Sequence, residues 1–361
     1  MSAFRVALSS DFKKSDGSPT YPMFDLKPLQ NNPEIEVAYV DAVDGRMTSD
    51  SMADFDALIL LAATFDANSI PKNGRLSLVA RFGVGYDNVD VDACTTAGIG
   101  VVITPDGVRR PVAVTILTFI LALAGKLFDK DRLTREGPSG FSKRPDYMGI
   151  GLVDRTLGSV GVGNIGAEMF RMCIPFDMKF IAYDPWADPL IAKELGIELV
   201  SLERVFSESD FLSLNIPLTD ETHHLVNAER LASMKSSAYL INTSRGPVVD
   251  QPALVDALKN GVIAGAALDV FDPEPPSADD PILKLDNVIA TPHSLCWTDQ
   301  CFAGIGASDV EQVLSIKAGD VPACLVNRSV ADDNTFMKRL HAYRENLIRR
   351  RSVKLDKELP T

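Results

Sequence analysis

Residues 156–170 read TLGSVGVGNIGAEMF, and residues 179–184 read KFIAYD. An apolar strand runs into Gly161, Gly163 and Gly166 in G-x-G-x-x-G register, after which the pattern becomes that of a helix. Each glycine serves a physical purpose. Gly161 makes the tight turn, Gly163 lets the backbone approach a pyrophosphate, and Gly166 permits close packing of helix on strand. The helix start adds unpaired N–H groups and positive partial charge for phosphates. Asp184 closes the next strand 23 residues after Gly161, where a carboxylate reaches ribose hydroxyls. Its charge repels a 2′-phosphate, and Pro185 and Trp186 offer no guanidinium in compensation, so the site reads as one for NAD rather than NADP.

Outward from this stretch, short apolar runs alternate with helical segments. They fall at 5–8, 36–40, 57–61, 78–81 and 100–103, and again at 157–162, 178–183, 211–215, 238–242, 264–270 and 288–290. A helix is expected from about Pro111 to Lys126, followed by a polar connection from Thr134 to Arg155. Strands separated by helices imply parallel sheets covered on both faces, an α/β class with two doubly wound sheets. The length of 361 residues accommodates two domains.

Composition narrows the function. A net charge of −13 repels nucleic acid and anionic membranes. The five cysteines are scattered without CxxC or zinc spacing, so reduced thiols and no metal are expected. The opening MSAFRVALSSDF has no leader pattern and the longest apolar run, 112–124, is shorter than a bilayer span, so a cytoplasmic protein is expected. From Ala331 to Thr361, eight basic residues face five acidic ones, which reads as a basic C-terminal tail.

Three further segments fall at strand ends, where ligands collect in open α/β sheets. They are INTSRGPVVD with Arg245, AALDVFDPEPP with Asp269 and Glu274, and ATPHS with His293. Of the four histidines, only His293 follows a predicted strand beside a proline; His223, His224 and His341 read as surface residues.

Together with RFGVGYDNVDVDACTTAGIGVVITP at 81–105, NIPLTDETHHLVN at 215–227 and NVIATPH at 287–293, these segments make the chain resemble the D-isomer-specific 2-hydroxyacid dehydrogenases from about residue 55 to 328. The resemblance implies a Rossmann-type NAD domain at 111–293 inserted into a flavodoxin-like substrate domain made of 1–110 and 294–330, with 331–361 left as the tail. It implies an NAD-dependent oxidoreductase interconverting a small D-2-hydroxy acid and its 2-keto acid, and a homodimer.

The family roles map onto this chain residue by residue. Arg245 holds the substrate carboxylate and polarises its carbonyl, a role suited to paired guanidinium donors. His293 exchanges the proton and Glu274 orients the imidazole and favours its protonated form. Asp269 meets the nicotinamide side. By the same resemblance Val84 and Gly85 offer backbone N–H groups to the substrate, Thr115 lies near the nicotinamide, Asn164 and Ile165 touch pyrophosphate, and Pro217, Thr222, Thr243 and Ser244 line the coenzyme.

The chain departs from the family in three places. VRRPVAVTIL at 108–117 puts Arg109 and Arg110 before the helix, where one or both either meet a second anionic group on the substrate, as in a dicarboxylate, phosphorylated or sugar acid, or pair with acidic surface residues. HSLCWT at 293–298 puts Leu295, Cys296 and Trp297 where small residues are usual, and EGPSGF at 136–141 alters a segment tied to the dimer. Two other functions share this fold: a formate- or phosphite-type dehydrogenase, and an NAD(H)-sensing binding protein of corepressor type.

Overall fold

The computed structural model describes residues 3–358, with side chains described through Arg349. The chain divides into two compact units, one of Met1–Val108 with Asp299–Thr361 and the other of Arg109–Thr298. Unit 1 holds β1 (Phe4–Ser9), β2 (Ile35–Val40), β3 (Ala57–Leu60), β4 (Leu78–Arg81) and β5 (Gly100–Val102) in the order β2-β1-β3-β4-β5, every pair parallel. Unit 2 holds β6 (Thr156–Val160), β7 (Lys179–Tyr183), β8 (Ile197–Leu199), β9 (Phe211–Leu214), β10 (Tyr239–Asn242), β11 (Gly265–Leu268) and β12 (Val288–Ala290). Their order is β12-β11-β10-β9-β6-β7-β8, again all parallel.

The doubly wound class follows from the strands themselves. β3, β9, β10 and β11 are buried at every residue, a pattern that suits a parallel sheet packed on both faces. Ala7, Leu58, Leu60, Val79 and Val101 centre the core of unit 1. Val160, Ile181, Leu212, Leu240 and Ala266 do the same for unit 2. In unit 2 the strand order reverses between β6 and β9, which opens a crevice at their carboxyl ends.

Several local expectations change. β8 lacks a sequence signal because it is a three-residue edge strand with Glu198 and Leu199 exposed. The long helix runs Pro105–Gly125 and contains Pro111 in its interior. Pro105 fills its first position, where the missing N–H removes no helical bond. This helix is long and apolar enough to cross a membrane, yet Ala113, Ile116, Phe119 and Ile120 are buried in the fold. The supposed polar connection contains a short helix, Pro138–Ser142, and a 3-10 turn, Arg144–Tyr147.

The C-terminal stretch also differs from the expected tail. It is a helix, Asn334–Glu358, with Phe336 and Leu340 fully buried. The basic count hides an apolar stripe, Phe336, Leu340, Tyr343 and Leu347, at helical spacing. Arg339 turns inward and donates to the carbonyls of Leu76, Ala97 and Gly98 at 2.9, 3.1 and 2.7 Å. The Tyr343 hydroxyl donates to Asp56 and lies 3.0 Å from Ser77 Oγ. The side chains of 350–361 lie outside the described residues.

Candidate active site

The glycine turn is built by exclusion. A Cβ on Gly161, whose φ is +95°, would lie 2.3 Å from the Asn215 carbonyl oxygen, and one on Gly166 would lie 2.5 Å from the Gly161 carbonyl. A Cβ on Gly163 would meet nothing within 4 Å. Two glycines are therefore required by the protein's own packing, whereas the third borders open space that a pyrophosphate can occupy. Gly163 is the N-cap of the helix Asn164–Cys173 and no side chain caps it, so the first-turn N–H groups of Asn164 and Ile165 have no capping side chain.

Asp184 ties this turn to the next strand. Its Oδ2 accepts from Val162 N at 2.8 Å and its Oδ1 from Trp186 N at 2.9 Å. Each carboxylate oxygen has a second lone pair, so the carboxylate can also accept from a ribose diol. Beneath the turn, Ser159 Oγ donates to Gly161 O at 2.6 Å and Asn215 Nδ2 donates to Ser159 Oγ at 2.9 Å. Neither Ser159 nor Asn215 stands out in the sequence; a polar residue inside an apolar strand is the only available signal.

Unit 2 also brings Arg245, Asp269, Glu274 and His293 together. β10 ends at Asn242, whose Oδ1 accepts from Ser244 N and Oγ and whose Nδ2 donates to Arg245 O, shaping the 243–245 turn. Arg245 Nη1 donates to Ser244 O at 2.8 Å. At Gly246 a Cβ would lie 1.7 Å from Phe271 O, so only glycine lets this turn rest against the strap carrying Glu274. Asn242 and Gly246 are positioning residues that carry no signal of their own in the sequence.

Glu274 Oε1 lies 2.5 Å from His293 Nδ1, and Glu274 Oε2 accepts from Phe271 N at 3.2 Å. The two side chains retain 37% and 43% exposure, so the pair is formed but reachable from solvent. Burial opposes ionisation of Glu274, but hydrogen bonding and charge from His293, the Phe271 N–H and the Arg245 charge outweigh it and hold the carboxyl below its ordinary value. That leaves an anionic acceptor on Nδ1 and turns Nε2 outward as the exchangeable position.

His293 itself has φ +52°, a left-handed conformation that few non-glycine residues adopt. Asp269 supplies the restraint. Its Oδ1 accepts from Thr291 Oγ1 at 2.5 Å, Ser294 N at 3.1 Å and Leu295 N at 3.3 Å, so the turn on both sides of His293 wraps one carboxylate oxygen. Asp269 is 3% exposed, and burial raises its carboxyl above the ordinary value despite those donors. The coenzyme contact expected of Asp269 is thus accompanied by a positioning role, and Thr291 joins the site as its partner.

The remaining residues divide by location and bonding. Thr115 is buried and donates to Pro111 O at 3.2 Å, and Thr222 Oγ1 donates to Pro217 O at 2.7 Å, closing the 217–222 loop. Thr243 is half-buried in the turn after β10. Val84 and Gly85 follow β4 in unit 1, where Gly83 N donates to Thr104 Oγ1 at 3.0 Å and Thr104 N to Gly83 O at 2.9 Å. Arg109 is exposed. Arg110 takes the second of its two open readings, pairing with an acidic residue: it meets Glu168 at 2.6 Å, and Arg171 takes the other Glu168 oxygen at 2.8 Å. Among the described residues, no three His, Cys, Asp or Glu side chains form a metal cluster.

Comparison with known proteins follows the same lines. The NAD-binding domain model of the D-isomer-specific 2-hydroxyacid dehydrogenases matches residues 117–294. A glyoxylate reductase of Korarchaeum cryptofilum is 43% identical over 279 residues, covering 77% of this chain and 84% of the relative. A D-3-phosphoglycerate dehydrogenase of Methanocaldococcus jannaschii is 36% identical, covering 84% of this chain and 57% of the relative. The crystal structure of D-lactate dehydrogenase from Aquifex aeolicus, complexed with NAD and lactic acid, superposes with a TM-score of 0.75 at 30% identity, covering 89% and 98% of the two chains. The chain belongs to the D-isomer-specific 2-hydroxyacid dehydrogenase family, as an NAD-dependent oxidoreductase acting on CH–OH groups.

Proposed function

We propose that the protein interconverts a small D-2-hydroxy acid and its 2-keto acid, with His293 exchanging the proton, Glu274 orienting it and Arg245 binding the carboxylate and carbonyl oxygen. The observation that carries this reading is the 2.5 Å Glu274–His293 contact beside Arg245, with His293 held in a left-handed turn. Bound NAD supplies or accepts the hydride. Arg245 presents paired donors to the carboxylate and to the oxygen on which negative charge develops. His293 delivers a proton to that oxygen during reduction and removes one during oxidation, while Glu274 stabilises the imidazolium between the two. Gly161, Gly163, Asn164, Ile165, Gly166 and Asp184 hold the pyrophosphate and ribose. Pro217, Thr222, Thr243 and Ser244 line the remaining length of the coenzyme, with Thr115 and Asp269 on its nicotinamide side. Val84 and Gly85 contribute backbone donors to the substrate.

Arg110 is paired to Glu168, and a small keto acid such as glyoxylate, the substrate named for several relatives, leads the panel, with dicarboxylic keto acids testing for a second anionic group. Leu127, Phe128, Phe141 and Met148 are exposed apolar side chains on unit 2 and support a homodimer, which light scattering tests. A cytoplasmic location is expected from the sequence, and fractionation tests it. The deciding assay is NADH consumption across glyoxylate, pyruvate, hydroxypyruvate and dicarboxylic keto acids, with D- and L-hydroxy acids in reverse. Rapid turnover of keto acids with D-selectivity supports the reading, and tight NADH binding without turnover on any of them overturns it in favour of a sensor.

A further inference from the structure

The chain has two tryptophans, and one of them, Trp186, is the most exposed large apolar side chain among the described residues at 84%. An isolated indole in water gains nothing for the fold, so its surroundings matter. Trp186 follows β7 by three residues, after Asp184 and Pro185. Its backbone N–H is held by Asp184 Oδ1 at 2.9 Å, while the other oxygen of the same carboxylate holds Val162 within the glycine turn at 2.8 Å. One side chain thus fixes the backbone of Trp186 relative to the pyrophosphate turn. The indole makes no ring contact among the described residues.

We propose that Trp186 is the adenine platform of the coenzyme site, its indole stacking on the purine face. This rests on the reading of Asp184 as the ribose anchor. The base is bonded directly to the ribose that Asp184 holds, and the segment leaving Asp184 is the nearest stretch of chain. A pre-placed aromatic face beside it recovers the apolar area left in water and discriminates against ligands that lack a base. Stacking of a base on an aromatic side chain is worth about tenfold or more in affinity by alanine substitution.

The test separates the two ends of the coenzyme. Binding of ADP-ribose and of nicotinamide mononucleotide is measured by calorimetry for the wild type, Trp186→Ala, Trp186→Phe and Asp184→Ala, and Trp186 emission is followed in a Trp297→Phe background. The expected result is ADP-ribose binding about tenfold weaker in Trp186→Ala, restored in Trp186→Phe, with mononucleotide binding unchanged and Trp186 emission quenched by ADP-ribose. Wild-type ADP-ribose affinity in Trp186→Ala, with Asp184→Ala impaired, overturns the platform and leaves the ribose anchor standing. Unchanged affinity in both variants overturns the anchor as well.

Discussion

Two buried aspartates organise two regions of this molecule in different ways. Asp56 in unit 1 is 5% exposed and accepts from Arg5 N, from Arg75 Nε and Nη2, and from the Tyr343 hydroxyl. It ties the sheet to the C-terminal helix and faces a full positive charge. Asp269 in unit 2 is about as deeply buried but its three donors are neutral and all belong to the 291–295 turn. A buried carboxylate with a guanidinium partner cannot be removed alone without cost to the fold, because the partner's charge is then left uncompensated. A buried carboxylate gripping a single strained turn serves geometry, because what it secures is the position of His293.

The comparison breaks most visibly at Asp56. Asp56→Ala removes the carboxylate that compensates Arg75 and accepts from Tyr343 and is expected to destabilise unit 1 by about 3 kcal/mol, read by urea unfolding, with kcat of the folded fraction unchanged. A kcat loss matching the stability loss would erase the distinction between the two aspartates. Asp269→Ala is expected to show the converse, kcat lower on the order of 100-fold from a misplaced imidazole, with a smaller shift in the unfolding midpoint.

The pH dependence sharpens the same contrast. Asp269 has its folded carboxyl raised, so the stability it contributes is present below the ordinary carboxylate range, near pH ~4, and is lost as pH rises through the folded value. Glu274 has its folded carboxyl lowered, so its contribution is present above that range and is lost as pH falls through the folded value. Relative to wild type, Asp269→Asn therefore gains stability as pH rises above the ordinary carboxylate range and Glu274→Gln loses it as pH rises toward that range from below, and thermal melts from pH ~8 down to about 2 read the two slopes. Slopes of the same sign would contradict the assigned environments. The smallest effect is that of Tyr343→Phe, which removes one hydroxyl from Asp56 and is expected to cost about 1 kcal/mol without altering turnover.

Much of the site is legible in the chain itself. The glycine turn, Asp184, Arg245, Glu274 and His293 can be read because each sits at or just beyond the carboxyl end of an apolar strand, where period and punctuation are clear. β8 cannot, since three residues at a half-exposed edge carry no period. The C-terminal helix is obscured by counting charge before spacing: its eight cations mask Phe336 and Leu340, and Arg339, which charge alone assigns to solvent, reaches three backbone carbonyls. Which reading of Arg110 applies is hidden for a related reason, because its partner Glu168 lies 58 residues away and only the fold joins them. The role of Asp269 in holding the turn is hidden likewise, since Thr291, Ser294 and Leu295 meet it only after β11 and β12 pair.

His293, restrained by Asp269 and paired with Glu274, is the group proposed to exchange the substrate proton. The most direct test of that role is kcat for keto-acid reduction by wild type and His293→Ala as a function of pH. Wild-type kcat is expected to decline as pH is raised, because the protonated imidazole is the donor, and His293→Ala to be slower by about 10²-fold or more with that dependence lost. A His293→Ala enzyme turning over near the wild-type rate, with the same pH profile, would contradict that role.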